Sequence, residues 1–238
     1  MPIQPPSADT LLTTIDSCIK NGQRLLDESY NLEFLTPPSS QFFLIMTAQE
    51  EFAKAFILYL VKEHIVPFNS HVLRAINDHA CKQLLGMIMD YMIMHWDDVK
   101  QLETLIHGDY ELGDGFPDDI GSAMELLRYE KIGRWEAKNW FWAEDPNYDA
   151  SALRIAKGKK DRHKQDALYV RIGRDGRVCS TPQTITENET RDELARADRY
   201  RYFVNSLTGR EDTPSGFYDR DRYDKTVTAL KLLFDHHT

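Results

Sequence analysis

From Leu12 onward, apolar residues recur at Ile15, Ile19, Leu26 and Tyr30. This is close to the spacing of one helical face, with Ser7 or Asp9 as a candidate N-cap. Two prolines in Thr36-Pro37-Pro38 enforce a break, after which Ser39 or Ser40 can cap a second helix. That helix, roughly Gln41 to Glu63, is apolar around most of its circumference, with Phe42, Phe43, Leu44, Ile45, Met46, Phe52, Phe56, Ile57, Leu58, Leu60 and Val61. Such a pattern predicts a buried central helix. Pro67 ends the connection and Asn69 or Ser70 can cap a third helix, which the run Met87, Met89, Met92 and Met94 carries toward Trp96. Three helices on short loops predict an antiparallel bundle.

Farther along, the acidic, glycine-containing stretch between Gly108 and Gly121 reads as a loop. A fourth helix is predicted from about Ile120 to Trp135, leading into the aromatic cluster Trp135, Trp140, Phe141 and Trp142. Leu168-Tyr169-Val170-Arg171-Ile172 alternates like a strand, and Asp175-Gly176 before Val178 signals a hairpin turn. Thr186 with Glu189 three residues on has capping-box spacing and opens a long helix that runs to about Leu207, before Gly209. After a polar stretch, Thr226 to Phe234 forms a short terminal helix. The predicted architecture is mainly α: a helical bundle over residues 1–150, with a small β-hairpin and additional helices over 151–238 packed on it as one compact unit.

Composition narrows the classes. The apolar and charged fractions, 42% and 28%, are those of an ordinary globular protein and exclude a disordered or fibrous chain. The N-terminus lacks the basic start and apolar run of a secretory leader, and the apolar runs are too short to cross a bilayer, so no membrane partner is expected. Cys18, Cys81 and Cys179 are odd in number and widely spaced, which suggests neither a disulfide framework nor a zinc cluster and fits a reducing cytoplasm. His107, His163, His236 and His237 also lack metal-site spacing, and no metal or other cofactor is expected. A net charge of −9 opposes bulk attraction to nucleic acid, so any RNA contact must be local. The one basic island is Arg154 to Arg177, where nine Lys or Arg face three Asp. Lys159, Lys160, Arg162 and Lys164 could meet an RNA backbone there, or an acidic surface of the same chain such as Asp109 to Asp119. The tryptophan cluster could likewise stack bases or, more simply, pack a core or an interface.

Two short motifs could carry chemistry. Glu50-Glu51-Phe52-Ala53-Lys54 places charges in the most apolar helix, where they need partners; a Glu50–Lys54 pair one turn apart is the simplest. Arg74-Ala75-Ile76-Asn77-Asp78-His79, followed by Lys82, falls on the third helix. On a continuous helix at about 100° per residue, Arg74, Asp78 and Lys82 lie within about 80°, and His79 within about 140° of Arg74, so all four can border one cleft. An Arg74–Asp78 pair on a solvated face is the plainer alternative.

In this order the motifs resemble the HEPN superfamily of helical ribonucleases and nucleotide-binding modules, and more closely the AbiV-type abortive infection proteins. The matching segments are Glu50-Glu51-Phe52-Ala53-Lys54 and Asp78-His79-Ala80-Cys81-Lys82. Downstream, Ala167 to Val170, Asp175-Gly176, Ser180-Thr181-Pro182 and Ile185-Thr186-Glu187 look like that family's hairpin and following helix. The likeness spans most of Leu12 to Tyr200. Two positions depart from it: Ala75, where HEPN nucleases usually carry a polar residue, and Ala80, where the AbiV-type pattern is often basic.

The resemblance implies a HEPN-type bundle and a phage-defence effector that cleaves RNA without a metal. The RNA supplies its own 2′-hydroxyl as nucleophile, and the products carry a 2′,3′-cyclic phosphate and a 5′-hydroxyl. His79 would be the base, Arg74 and Lys82 would stabilise the phosphorane, and Glu50, Glu51, Lys54, Asn77 and Asp78 would support them. One Arg–His pair per chain suits a homodimer with two motifs facing one cleft, under the control of a phage-encoded activator or antitoxin-like regulator. A different class of function is a catalytically silent module that binds a nucleotide or a regulatory protein. An unrelated helical scaffold would be favoured if Arg74, His79 and Glu51 fail to converge.

Overall fold

The computed structural model describes residues 4–94, 117–127 and 148–209, with positions 225, 227, 228 and 231. Among the described residues the protein is mainly α, with one two-stranded antiparallel sheet. None of the described helices is long and apolar enough to cross a membrane.

Helix α1 (Ala8–Tyr30) starts where the Ser7 hydroxyl accepts from the Thr10 amide, 3.2 Å. It buries Leu11, Ile15, Ile19, Leu25 and Leu26, whereas Leu12 and Tyr30, counted on the apolar face from spacing, are exposed. Helix α2 (Ser39–Lys62) begins two residues earlier than expected. Its cap is Pro38, with no side-chain hydrogen bond, instead of a serine. It buries Phe42, Ile45, Met46, Phe52, Phe56 and Leu60 on nearly all sides, and each such side chain is worth about 1.5–3 kcal/mol. The two helices pack tightly at Gly22, where a Cβ would lie 2.6 Å from Phe52 Cε1.

The third predicted helix is two. Helix α3 (Ser70–Asn77) is capped by Asn69, whose Oδ1 accepts from the His71 and Val72 amides at 3.0 Å. Asp78 then turns extended (φ −88°, ψ 123°) and α4 (His79–Met94) starts afresh, with Asp78 Oδ1 accepting from Cys81 N at 3.0 Å. Asp78 thus acts as an N-cap, the role short polar side chains prefer to a helix interior. The wheel that aligned Arg74, Asp78 and Lys82 on one face therefore does not apply. Helix α5 (Asp118–Glu125) is the described part of the predicted fourth helix. The tryptophan cluster, Trp96, His107, His236, His237, the acidic loop as far as residue 116 and most of the terminal helix lie outside the described residues.

Two helices that periodicity did not announce occupy the basic island. Helix α6 (Ala150–Ala156) is capped by Asp149. Gly158, at φ +71°, turns the chain into α7 (Lys159–Asp166). Asp166 is held by both guanidinium arms of Arg171 at 2.8 Å, which ties α7 to the hairpin of β1 (Arg171–Ile172) and β2 (Val178–Ser180). The strand is shorter than Leu168–Ile172, and Leu168, Tyr169 and Val170 are exposed. Gly176, at φ +77°, makes the turn that only glycine adopts without strain.

Helix α8 (Glu187–Leu207) opens with Thr186 Oγ1 accepting from Glu189 N at 3.2 Å. Despite its charge it buries Ala197, Tyr200, Phe203, Val204 and Leu207, and Phe203 meets Phe56 of α2 at 5.5 Å between ring centroids. One core cluster draws on α1 to α6 and α8. A smaller one joins Phe42 and Met46 to Ala167 and Ile185.

Candidate functional site

Glu50 lies on the side of α2 turned toward α4 and α7, and is 3% exposed. A carboxylate taken that far from water needs compensating donors, and α4 and α7 supply them. Oε2 lies 2.6 Å from His79 Nδ1 and 2.8 Å from Lys82 Nζ; Oε1 lies 2.5 Å from Lys164 Nζ and 3.3 Å from Gln83 Nε2. Burial would raise the Glu50 carboxyl, but Lys164 and Lys82 together outweigh it and hold it below the ordinary glutamate value. Glu50 is therefore an ionised hub of a buried network.

That charge state assigns the histidine tautomer. Nδ1 has two close neighbours, the Glu50 carboxylate at 2.6 Å and the Lys164 ammonium at 3.1 Å. An ionised carboxylate only accepts and an ammonium only donates. The shorter contact and the ionised state of Glu50 place the proton on Nδ1, donated to Glu50. In the neutral imidazole Nε2 is then the acceptor nitrogen, on a side chain 49% exposed. The arrangement is a carboxylate–imidazole dyad on a half-exposed histidine.

Of the other residues proposed from sequence, some join this cluster and some do not. Lys82 joins it, but buried on Glu50 and not facing a substrate. Arg74 is exposed on α3, across the helix break from His79. Asn77 is turned to its own helix, its Nδ2 donating to Leu73 O at 2.8 Å. Lys54 pairs with Glu51 at 2.5 Å, not with Glu50, and this pair faces Cys18 of α1. Glu51 therefore does not join His79; the carboxylate at the histidine is Glu50, one residue and about 100° of helix away.

The basic island is also split. Lys164 is buried among Glu50, Asp161 (3.0 Å) and His79, so it is not available to an RNA backbone. Lys160 lies 3.7 Å from Glu193; burial lowers its ammonium, and Glu193 opposes that shift. Lys159 and Arg162 remain exposed. His163, set aside as incidental, binds Glu189 at 2.5 Å and meets Phe42 edge-on. Asp161 and the internal role of Lys164 were not foreseen. Their one sequence signal is the Asp–Lys pair three residues apart, which is common on exposed helices.

Lys159, Lys160 and His163 of α7 border a cleft of about 730 Å³ that is also lined by Phe42, Tyr91, Glu193 and Arg196 among others. Arg196 Nη1 holds Glu193 at 2.7 Å and its Nε approaches Asp90 at 3.3 Å. Burial raises the Asp90 carboxyl, with Arg196 opposing. The buried Tyr200 hydroxyl lies 2.6 Å from Gly86 O and 3.1 Å from Asp90 Oδ2. Gln83 reaches from this cleft to Glu50, so the cleft and the dyad share a wall.

One ligand atom from each of Glu50, His79 and Asp161 lies within 4.8 Å of the others, a spacing that suits a metal-ligand set as well as an ion network.

Comparison with known proteins finds one family. The profile HEPN_AbiV, described as AbiV, matches residues 10–201. No curated protein and no solved structure matches the chain.

Proposed function

The chain belongs to the AbiV family of HEPN proteins, and from that premise we propose that it is an abortive-infection effector that cleaves RNA by metal-independent attack of the 2′-hydroxyl. Membership of the family sets aside the unrelated scaffold. The observation that carries the catalytic reading is the Glu50–His79 contact at 2.6 Å, which in the neutral imidazole holds the proton on Nδ1 and leaves Nε2 as the acceptor.

In the proposed step, Nε2 takes the proton of the 2′-hydroxyl as that oxygen bonds to the adjacent phosphorus. Glu50 stabilises the imidazolium as it forms. The bond from phosphorus to the 5′-oxygen breaks, that oxygen leaves with a proton from an imidazolium, and the products are a 2′,3′-cyclic phosphate and a 5′-hydroxyl. Arg74, exposed on the neighbouring α3, is the group proposed to meet the phosphorane charge, since its planar fork of donors matches phosphate oxygens. Lys82 acts through Glu50 instead. Of the four basic residues singled out from sequence, Lys159 and Arg162 are exposed and positioned to attract an RNA backbone. Two copies of the chain would bring two dyads to one cleft, one serving as base and one as acid. Control would come from a phage-encoded activator or antitoxin-like regulator, and the site of action is the cytoplasm.

A second reading has its own observation: the cleft of about 730 Å³ beside the dyad could hold a nucleotide or a segment of a regulatory protein in a module that does no chemistry. Induced expression separates the two. Wild type should arrest growth and leave RNA fragments with cyclic-phosphate ends, and His79→Ala at equal protein level should do neither. If the two behave alike and RNA stays intact during infection, catalysis is wrong.

A further inference from the structure

We propose that Glu50, His79 and Asp161 form a cation site whose resident cation is the chain's own Lys164, and that this site takes a divalent transition metal once the ammonium is removed. The ammonium nitrogen lies 2.5 Å from Glu50 Oε1, 3.0 Å from Asp161 Oδ1 and 3.1 Å from His79 Nδ1. Its side chain is 4% exposed, so it is part of the interior. Two carboxylates and an imidazole nitrogen aimed at one point are the donor set of a zinc centre with an open position. His79 Nδ1 and Asp161 Oδ1 are 3.8 Å apart, near the separation of roughly 3.4 Å that two ligands at about 2.1 Å from a tetrahedral ion would have. Lys164 stands where that ion would stand.

The consequence for the dyad rests on the ribonuclease reading. A metal on Nδ1 needs that nitrogen's lone pair, so the proton now donated to Glu50 must move through solvent to Nε2. Nε2 would then be a donor, and the base would be lost. Lys164 excludes the ion by charge and by volume while leaving the Nδ1 proton to Glu50. It is a positioning residue, supplied by α7 to a pair carried by α2 and α4, and it makes the site's independence of metal a built feature of the fold.

The test uses the full chain and Co2+, a spectroscopic substitute for Zn2+. Lys164→Ala is expected to bind one Co2+ with visible ligand-field bands, and adding His79→Gln to that variant should remove them. Wild type should show none at the same concentration. If Lys164→Ala does not fold alone, Co2+ or Zn2+ should restore its helical signal, because the ion binds only the assembled site; Lys164→Ser gives a second variant with a small polar group. The proposal is overturned if neither variant gains bands or metal-dependent folding, if wild type binds Co2+ equally well, or if the bands survive His79→Gln. None of these results depends on cleavage of RNA, so failure here is distinguishable from failure of the ribonuclease reading, which His79→Ala tests in the wild-type background.

Discussion

Replacing Glu50 by glutamine keeps the shape of the side chain and removes the charge around which three helices are arranged. The two lysines on it are 5% and 4% exposed. Lys164 retains Asp161, whereas Lys82 is left with no other ion pair among the described residues. A neutral amide has one oxygen to offer where the carboxylate offered two, so one ammonium faces an NH2 group and stays buried without an acceptor. Removing one partner of a buried ion pair costs about 3–5 kcal/mol, a large share of a total stability of about 5–15 kcal/mol. Urea unfolding followed by circular dichroism should show the midpoint falling by about 1–2 M for a urea dependence near the upper end of about 1–3 kcal/mol per molar. Glu51→Gln, which loses only the partly exposed bond to Lys54, should cost less than about 1 kcal/mol. The pH dependence has a definite sign. The folded-state pKa of Glu50 is depressed, so its contribution is fully present above the unfolded value near 4.5 and is lost as pH falls through the folded value. The gap between wild type and Glu50→Gln should therefore be widest near neutrality and close in acid. Equal midpoints for Glu50→Gln and Glu51→Gln at neutral pH would refute the placement of Glu50 at the centre of the network.

Three further outcomes follow from packing and burial. Gly22→Ala would push a methyl against Phe52 at the α1–α2 crossing and should lower stability by about 1–3 kcal/mol, read as a fall in the thermal midpoint; no change would mean that the crossing is looser than described. Gly86→Ala would bring its Cβ to 2.8 Å from the Tyr200 hydroxyl and cost a similar amount, while Tyr200→Phe in the same chain should recover part of the loss; strictly additive losses would contradict the contact. The Cys18 thiol is pushed up to about 11 by burial, with Glu51 adding to the shift. A disulfide reagent at pH 8 should therefore modify the exposed Cys179 first and reach Cys18 only on unfolding. Rapid modification of Cys18 in the native protein would contradict its burial.

The elements that could be read in advance are those whose termini and faces are written locally. Ser7, Asn69 and Thr186 cap the helices they were expected to cap, and Asp175-Gly176 turns the hairpin. The unbroken apolar surface of α2 identified the central helix. The break at Asp78 was missed because apolar periodicity runs through it. The available signal was Asn77-Asp78, a short polar pair better suited to a cap than to a helix interior. Helix α7 has no apolar face at all: Lys159-Lys160-Asp161-Arg162-His163-Lys164-Gln165-Asp166 reads as solvated, and the burial of Lys164 rests on Glu50 and His79, more than 80 positions away. Sequence spacing therefore found His79 but chose among Glu50, Glu51 and Lys54 only as a group. Which carboxylate faces the histidine depends on the rotation of α2 about its axis, and that is set by the packing of Phe52 and Phe56 against α1 and α8.

The central claim is that Nε2 of His79, held by Glu50, takes the proton of a ribose hydroxyl. The most direct measurement is incubation of the purified chain, without added metal, with an RNA oligonucleotide and with the same oligonucleotide carrying a 2′-deoxy sugar at the cleaved position. The account predicts cleavage of the all-ribose strand to a 2′,3′-cyclic phosphate and a 5′-hydroxyl, no cleavage at the deoxy position, and loss of activity in His79→Ala. Cleavage at the deoxy position, products ending in a 3′-hydroxyl, or full activity in His79→Ala would contradict it.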